Sequence, residues 1–307
     1  MKKEIWLSLG LVAALILGGC QLLSGTAPET APADTTPSTE VTLPSEPTEP
    51  STPPVTELRT GWYDEGDDRY YYDESGVMLT GWQAVGDSLY YFREDGTMAK
   101  GMVTIDGVAH FFTSAGAEIL LVNPWYSLPA DYTPDLVELN TSISVDGQKV
   151  DRSCYDALVQ MITDCNKECP TACVVSSYRT NEYQEGLFQK KIKFYLDQGY
   201  DQEEATRLAA TVIAIPGTSE HQLGLAVDIV DTRSWSLNDG QADLPAQKWL
   251  MENSWKYGFV LRFPKDKTDV TGIIYEPWHY RYVGIEVAAE LHESGLTLEE
   301  YITNLTK

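Results

Sequence analysis

Positive charge is scarce in this chain. Its 307 residues include 22 Lys and Arg against 46 Asp and Glu, a formal net charge of −24. Nucleic acid demands basic patches to meet its phosphates, so it is excluded as a partner. Adsorption to an anionic surface by charge is excluded on the same ground, and solvation accounts for most of the negative charge. Long apolar runs are scarce too. The N-terminal run, Ile5 to Leu17, holds about 13 residues, too few for a membrane span. Cysteine is limited to five. Four of them, Cys154, Cys165, Cys169 and Cys173, are separated by ten, three and three residues, which matches no standard zinc spacing. In an exported chain they permit disulfides. Cys165 or Cys169 could reach Cys173 across Pro170, whereas Cys154 and Cys165 would lie three turns apart on one helix. Four free thiols is the alternative. Histidine is scarcer still, with four residues.

Two of those four carry the main signal. His221 lies in Ser219-Glu-His-Gln-Leu-Gly-Leu-Ala-Val-Asp228, and His279 in Tyr275-Glu-Pro-Trp-His-Tyr-Arg-Tyr-Val-Gly284. Each has a carboxylate nearby, Asp228 and Glu276. Two imidazoles, one ligand carboxylate and a spare carboxylate are what a catalytic zinc site needs, with the fourth coordination position left to water. The seven-residue gap from His221 to Asp228 would span roughly 10 Å in a straight helix and roughly 23 Å in a straight strand. The chain must fold back between them, and Gly224 permits the bend. Leu225 to Val230 then reads as a buried strand carrying Asp228, an expensive place for an aspartate unless it is paired or metal-bound. Glu276 and His279 would point to opposite faces of a regular strand. Pro277 between them predicts an irregular backbone that lets both face the metal.

These residues resemble the VanY-type D-alanyl-D-alanine carboxypeptidases, zinc peptidases of the bacterial cell wall related in fold to the hedgehog signalling domain. The resemblance runs from near Val122 to the C-terminus, about 185 residues. It implies zinc ligands at His221, Asp228 and His279, and Glu276 as catalytic base. It also implies that Arg179, in Ser176-Ser-Tyr-Arg, faces the substrate's terminal carboxylate and the developing oxyanion, a task suited to a planar guanidinium. Gln184, Ser219 and Trp278 would assist substrate binding. The family often has glycine where Ser177 stands here, a small local departure. The implied substrates are peptidoglycan stem peptides. Removal of the terminal D-alanine is the leading reading, L,D-carboxypeptidase action on tetrapeptides the runner-up, and an inactive wall-binding protein the third.

The rest of the chain fits such a role. Lys2 and Lys3 precede the apolar run, which ends Leu17-Gly-Gly-Cys20. This resembles a lipoprotein signal, which implies residues 1–20 as leader, lipidation at Cys20, and a protein anchored on the extracellular face of the membrane without spanning it. Residues 21–58 are dense in Pro, Thr, Ser and Glu, cannot order themselves, and form an extended spacer of roughly 100 Å at about 3.1 Å per residue. Over 59–120, Thr60-Gly-Trp62, Thr80-Gly-Trp82 and Lys100-Gly-Met102 recur every 20 residues, which predicts stacked β-hairpins. The pattern resembles choline-binding cell-wall repeats. It implies aromatic cages for a quaternary ammonium built from Trp62, Tyr71, Trp82 and Tyr91, and a wall polymer such as choline-bearing teichoic acid as partner; the alternative is that the rings simply pack the solenoid. Met102 breaks the third cage. His110 reads as part of the aromatic row and His292 as a helix-surface residue.

Residues 121–307 read as an α+β domain with a largely antiparallel sheet. Helices are expected over 153–168, from a Thr180 cap to about 197, over 201–213 and over 245–257, a strand over 171–178, a turn then a strand over 257–264, and a capping box, Thr297-Leu-Glu-Glu300, opening the last helix.

Overall fold

The structure, a computed structural model, describes residues 58–86, 88–129 and 132–306. The leader with Cys20 and the spacer, except Leu58, lie outside the described residues. Among the described residues no helix is long and apolar enough to cross a membrane.

The 20-residue period gives three two-stranded hairpins: β1 (Gly61–Glu65) with β2 (Asp68–Tyr72), β3 (Gly81–Val85) with β4 (Ser88–Phe92), and β5 (Gly101–Ile105) with β6 (Val108–Phe112). They stack by a repeated bond: Met98 N donates to Arg69 O and, 20 residues on, Glu118 N donates to Leu89 O, both at 2.8 Å. Each hairpin's tryptophan and tyrosine are cross-strand partners, Trp62 with Tyr71 and Trp82 with Tyr91.

The remainder begins with β7 (Leu136–Glu138) and β8 (Lys149–Asp151), then α1 (Arg152–Glu168), β9 (Ala172–Ser176), α2 (Asn181–Leu196) and α3 (Gln202–Ala210). It continues with β10 (Ala226–Asp231), α4 (Pro245–Asn253), β11 (Phe259–Leu261), α5 (Thr268–Thr271), β12 (His279–Tyr282), α6 (Ile285–Ser294) and α7 (Leu298–Leu305). The sheet order is β11-β12-β10-β9, every pair antiparallel, as the α+β reading expects. Helix α1 buries Cys154, Leu158, Met161, Ile162 and Cys165, a 3–4 residue spacing. Together with Ala246 and Leu250 of α4 they cover Val174, Val227, Ile229 and Tyr280 on one sheet face. The side chains alternating with these, Asp228, His279 and Arg281, are left to the other face.

The expected Thr180 cap opens α2, and Thr297 with Glu300 forms the expected full capping box on α7; Asp201 caps α3. Two helices end early. α3 stops at Ala210, where the β-branched run Thr211-Val-Ile213 leaves the helix in turns onto Leu208 and Ala209. α4 passes into a 3₁₀ turn over Ser254–Tyr257. No disulfide forms among the described cysteines, and all four clustered thiols are free. Cys154 and Cys165 face the core, where burial pushes both up to about 12. Cys169 caps α1 and Cys173 sits within β9.

The third hairpin differs from the other two. Phe111 and Ile119 are buried with Val287, Leu291, Tyr301 and Ile302 of α6 and α7, and Ser114 N donates to Tyr301 OH at 3.1 Å. Gly101 has φ +68°, and a Cβ there would lie 2.8 Å from Leu305 C, so only glycine allows β5 to approach the end of α7. The expected boundary between residues 120 and 121 runs through this cluster. Phe111→Ala should therefore destabilise the α+β region by about 3–5 kcal/mol, and Gly101→Ala should act in the same direction. Scanning calorimetry of the full chain tests this: an unmoved main transition in both variants would mean that the hairpin is an independent appendage.

Candidate active site

Local structure delivers the site residues one by one. Glu220–Leu223 forms a 3₁₀ turn that ends at Gly224, with φ +75°. A Cβ there would stand 3.0 Å from Asp151 N, so the reversal that brings His221 back over β10 needs glycine. Asp228 and His279 are direct cross-strand partners of β10 and β12. A register shift between Asp228 and Ile229 against β9 marks a bulge at this point, a feature that re-aims side chains next to active sites. Pro277 and Trp278 form the expected irregular element, a turn in which His279 N donates to Glu276 O at 3.2 Å.

The result is a compact donor set. One ligand atom each from His221, Asp228 and His279 lies within 4.8 Å of the others, and all three side chains are buried. His221 Nδ1 lies 2.7 Å from Ser177 O. A carbonyl only accepts, so Nδ1 carries the proton and Nε2, 3.4 Å from Asp228 Oδ2, keeps its lone pair. His279 turns the other edge inward: Nδ1 is 3.2 Å from Asp228 Oδ1 and 3.7 Å from Glu276 Oε2. Two imidazole nitrogens and a carboxylate oxygen at this spacing, His221 Nε2, His279 Nδ1 and Asp228, fit a tetrahedral zinc ion.

The remaining expected residues share one cavity of about 210 Å³, lined by Arg179, Gln184, Ser219, Glu276 and Trp278 with the donor set. Arg179 Nη2 donates to Asp228 Oδ2 at 2.6 Å and its Nε to Ser176 Oγ at 3.0 Å. The guanidinium thus sits at the cavity wall beside the donor set. Gln184 donates from Nε2 to Ala214 O at 2.7 Å, while its buried Oε1 has no partner. Ser219 and Trp278 are buried in the wall. The hairpin aromatics lie outside this cavity. Trp62 meets Tyr71 and Tyr90, each at 5.0 Å, and Arg69 already lies over its ring at 4.6 Å. Trp82 meets Tyr91 at 5.2 Å and His110 at 4.8 Å, which puts His110 in the aromatic row as expected. His292 is exposed on α6, stacked on Trp255.

Sequence reasoning missed a buried charge cluster behind the donor set. Glu220 Oε1 accepts from Arg262 Nε at 2.8 Å and Arg281 Nη1 at 2.9 Å, and Arg262 also pairs with Glu299 of α7. The available signal was two arginines within apolar strand sequence, Val260-Leu-Arg262-Phe and His279-Tyr-Arg281-Tyr, where charge needs a partner.

Burial dominates the electrostatics. It raises the Glu276 carboxyl to about 8, with His279 opposing and Asp228 reinforcing. It lowers His221 to about 4, helped by Arg179. For His279 burial pulls downward, but Asp228 and Glu220 outweigh it and hold the imidazole up at about 9. For Asp228 burial pulls upward, and His221 and Arg179 drive the carboxyl well below the usual range.

The chain is similar to several known proteins. The family model described as D-alanyl-D-alanine carboxypeptidase, VanY, matches residues 147–285. The choline-binding repeat model matches 59–100 and 79–118. A D-alanyl-D-alanine carboxypeptidase of Enterococcus faecalis (strain ATCC 700802 / V583) is 40% identical over 184 residues, 60% of this chain and 65% of that protein. The chain thus spans just under two thirds of that curated relative. Among solved structures, a variant of the vancomycin-resistance D,D-pentapeptidase VanY from the VanB-type cassette, in complex with Zn(II), is 40% identical with a TM-score of 0.54. The match covers 60% of this chain and 97% of that one. The LD-carboxypeptidase LdcB is 34% identical, also at 0.54, over 66% of this chain and 94% of that one.

The protonation pattern yields a measurable consequence. A metal binds neutral imidazole and carboxylate. Below about 9 the metal-free His279 carries a proton that competes with the metal, and above it there is none to displace. Zinc loading at pH 7 should therefore release at least one proton, and apparent affinity should strengthen as pH rises toward 9. Calorimetry in two buffers of different ionisation enthalpy measures this, and zinc uptake with no proton release would contradict it.

Proposed function

Because the chain belongs to the VanY family of D-alanyl-D-alanine carboxypeptidases, we propose that it is a zinc-dependent carboxypeptidase that removes the terminal D-alanine from peptidoglycan stem peptides outside the cytoplasm. The carrying observation is the buried His221–Asp228–His279 set within 4.8 Å, with Glu276 and Arg179 on the wall of the same cavity. The Zn(II) complex of the VanY relative supports the choice of metal. His221, Asp228 and His279 would hold the ion. When bound, it lowers the pKa of a coordinated water toward about 7 and polarises the scissile carbonyl.

The chain's own residues supply the rest. Glu276, as carboxylate, takes the proton of the attacking water and returns it to the departing amine. Its burial raises the proton affinity toward neutrality, the range in which one group can both accept and donate. Arg179 offers its fork to the terminal carboxylate, and its nearness to the donor set lets it steady the developing oxyanion. Gln184 Oε1 accepts a substrate N–H, and Ser219 and Trp278 shape the wall. An acidic chain repels a carboxylate-ended substrate, so a local cation is needed to seat it. The complete set of site residues argues against an inactive wall-binding protein.

The repeats we assign to wall attachment through a quaternary ammonium such as choline on a wall polymer, teichoic acid being the expected one, and Cys20 to lipid anchoring at the membrane. Arg69 over Trp62 already supplies a cation to the first ring, whereas the Trp82 ring is 37% exposed, so the second cage is the better site.

These assignments can be tested for catalysis and for attachment. Wild type should cleave a stem pentapeptide ending in a free carboxylate and fail on its C-terminal amide. Arg179→Ala should be about ten- to a hundredfold slower on the acid, the loss of a charged hydrogen bond of about 1.5–3 kcal/mol, and should discriminate little between the two. Glu276→Ala should lose several orders of magnitude while keeping its metal. Mass spectrometry of muropeptide products decides: equal cleavage of acid and amide removes the exopeptidase reading, and attack on tetrapeptides alone substitutes the L,D activity. For attachment, Trp82→Ala should reduce retention on a choline matrix more than Trp62→Ala, and Cys20→Ala should release the protein from membranes. Equal retention of both tryptophan variants and wild type would remove the cage assignment, and membrane retention of the Cys20 variant the anchor.

A further inference from the structure

His279 presents Nδ1 to the donor set, and an imidazole can offer that lone pair only if its other nitrogen carries the proton. Something must therefore receive an N–H at Nε2. The atom opposite is Glu220 Oε2, 3.6 Å away, longer than a hydrogen bond. Both atoms are buried and neither has another partner. In a protein interior, two unpartnered polar atoms of complementary kind that face each other are a contact waiting to tighten, because each otherwise bears its full desolvation cost.

Glu220 is itself held from the far side. Its Oε1 receives Arg262 Nε and Arg281 Nη1, and both arginines are almost fully buried. Arg262 is fixed in turn by Glu299, and Arg281 Nη2 donates to Leu120 O at 2.7 Å. Two cations on one oxygen leave the carboxylate ionised and unable to rotate, with the second oxygen aimed at His279.

We propose that Glu220 is a positioning residue for His279: clamped by Arg262 and Arg281, its free oxygen receives the Nε2 proton and fixes the imidazole with Nδ1 toward the metal. Outer carboxylates of this kind raise ligand basicity and lock ring orientation, and their loss costs about 10–100-fold in metal affinity. The inference rests on the reading of His221, Asp228 and His279 as metal ligands.

Glu220→Gln is the direct test. The amide keeps the size of the carboxylate, but it cannot offer an acceptor to both the arginines and His279. Zinc affinity, measured by chelator competition, should fall about 10–100-fold, and the visible spectrum of the cobalt-substituted protein should change. Glu299→Gln disturbs the same network without facing His279 and should leave both readouts near wild type. A Glu220→Gln protein that folds and binds zinc like wild type overturns the proposal, as does an equal loss in Glu299→Gln, which would mark a general effect of the network. Should Glu220→Gln fail to fold, nitrogen-15 NMR of the zinc-loaded wild type decides. His279 must be protonated at Nε2 and His221 at Nδ1, and metal at Nε2 of His279 refutes the role. Failure of the wild type to bind zinc would instead remove the metal-site reading itself.

Discussion

Asp228 and His279 stand directly opposite each other because β10 and β12 pair antiparallel in one register. Side chains alternate along a strand, so a slip of one residue would carry both into the hydrophobic face and bring Val227 and Tyr280 out of it. The core therefore fixes the register and the register builds the site. The apolar positions Val227, Ile229 and Tyr280, fully buried under α1 and α4, determine where the two ligands meet. His221 joins them only because Gly224 reverses the chain within one turn. The site is a by-product of how the sheet buries its other face.

Three arginines serve this site from different distances. Arg179 stands in the cavity and shares Asp228 with the donor set. Arg262 and Arg281 stand behind it and neutralise Glu220. In a low-dielectric interior each carboxylate needs such a partner or must take up a proton. Glu276 has no arginine hydrogen-bonded to it, and it is the carboxyl whose proton affinity rises, whereas Glu220 and Asp228 are driven down. The carboxyls thus differ in proton affinity according to whether an arginine hydrogen-bonds them, with His221 adding to the effect on Asp228.

The residues proposed to hold the metal are legible in the sequence because they cluster in two short segments with recognisable local geometry: a glycine-broken turn, a buried strand, and a proline close to a histidine. Helix caps are legible for the same reason, since Thr180 and Thr297 act within one turn. Glu220 was not legible, although it lies between Ser219 and His221. Its role exists only once Arg262, Arg281 and His279 converge from distant positions. The free thiols show the same limit. Spacing allowed a bridge across Pro170, but Cys169 became a helix cap and Cys173 a strand residue.

Met102 shows how a local departure can carry a tertiary meaning. Against the tryptophans of the first two hairpins it reads as an incomplete cage. In the fold its sulfur receives Tyr126 OH at 3.7 Å, and Phe111 packs edge-on against the same tyrosine at 4.7 Å. The third hairpin thus presents a docking surface where the first two present a tryptophan. Phe111 and Ile119 share a core with α6 and α7, α7 supplies Glu299 to the arginine network, and the chain leaving this hairpin supplies Leu120 O to Arg281. The wall-binding stack is therefore not free to swivel against the catalytic domain. On the proposed reading of Trp82, a ligand seated there would set the orientation of the cleft as well as its distance. On that reading the connection would give a high effective concentration for correctly presented strands and almost none for others.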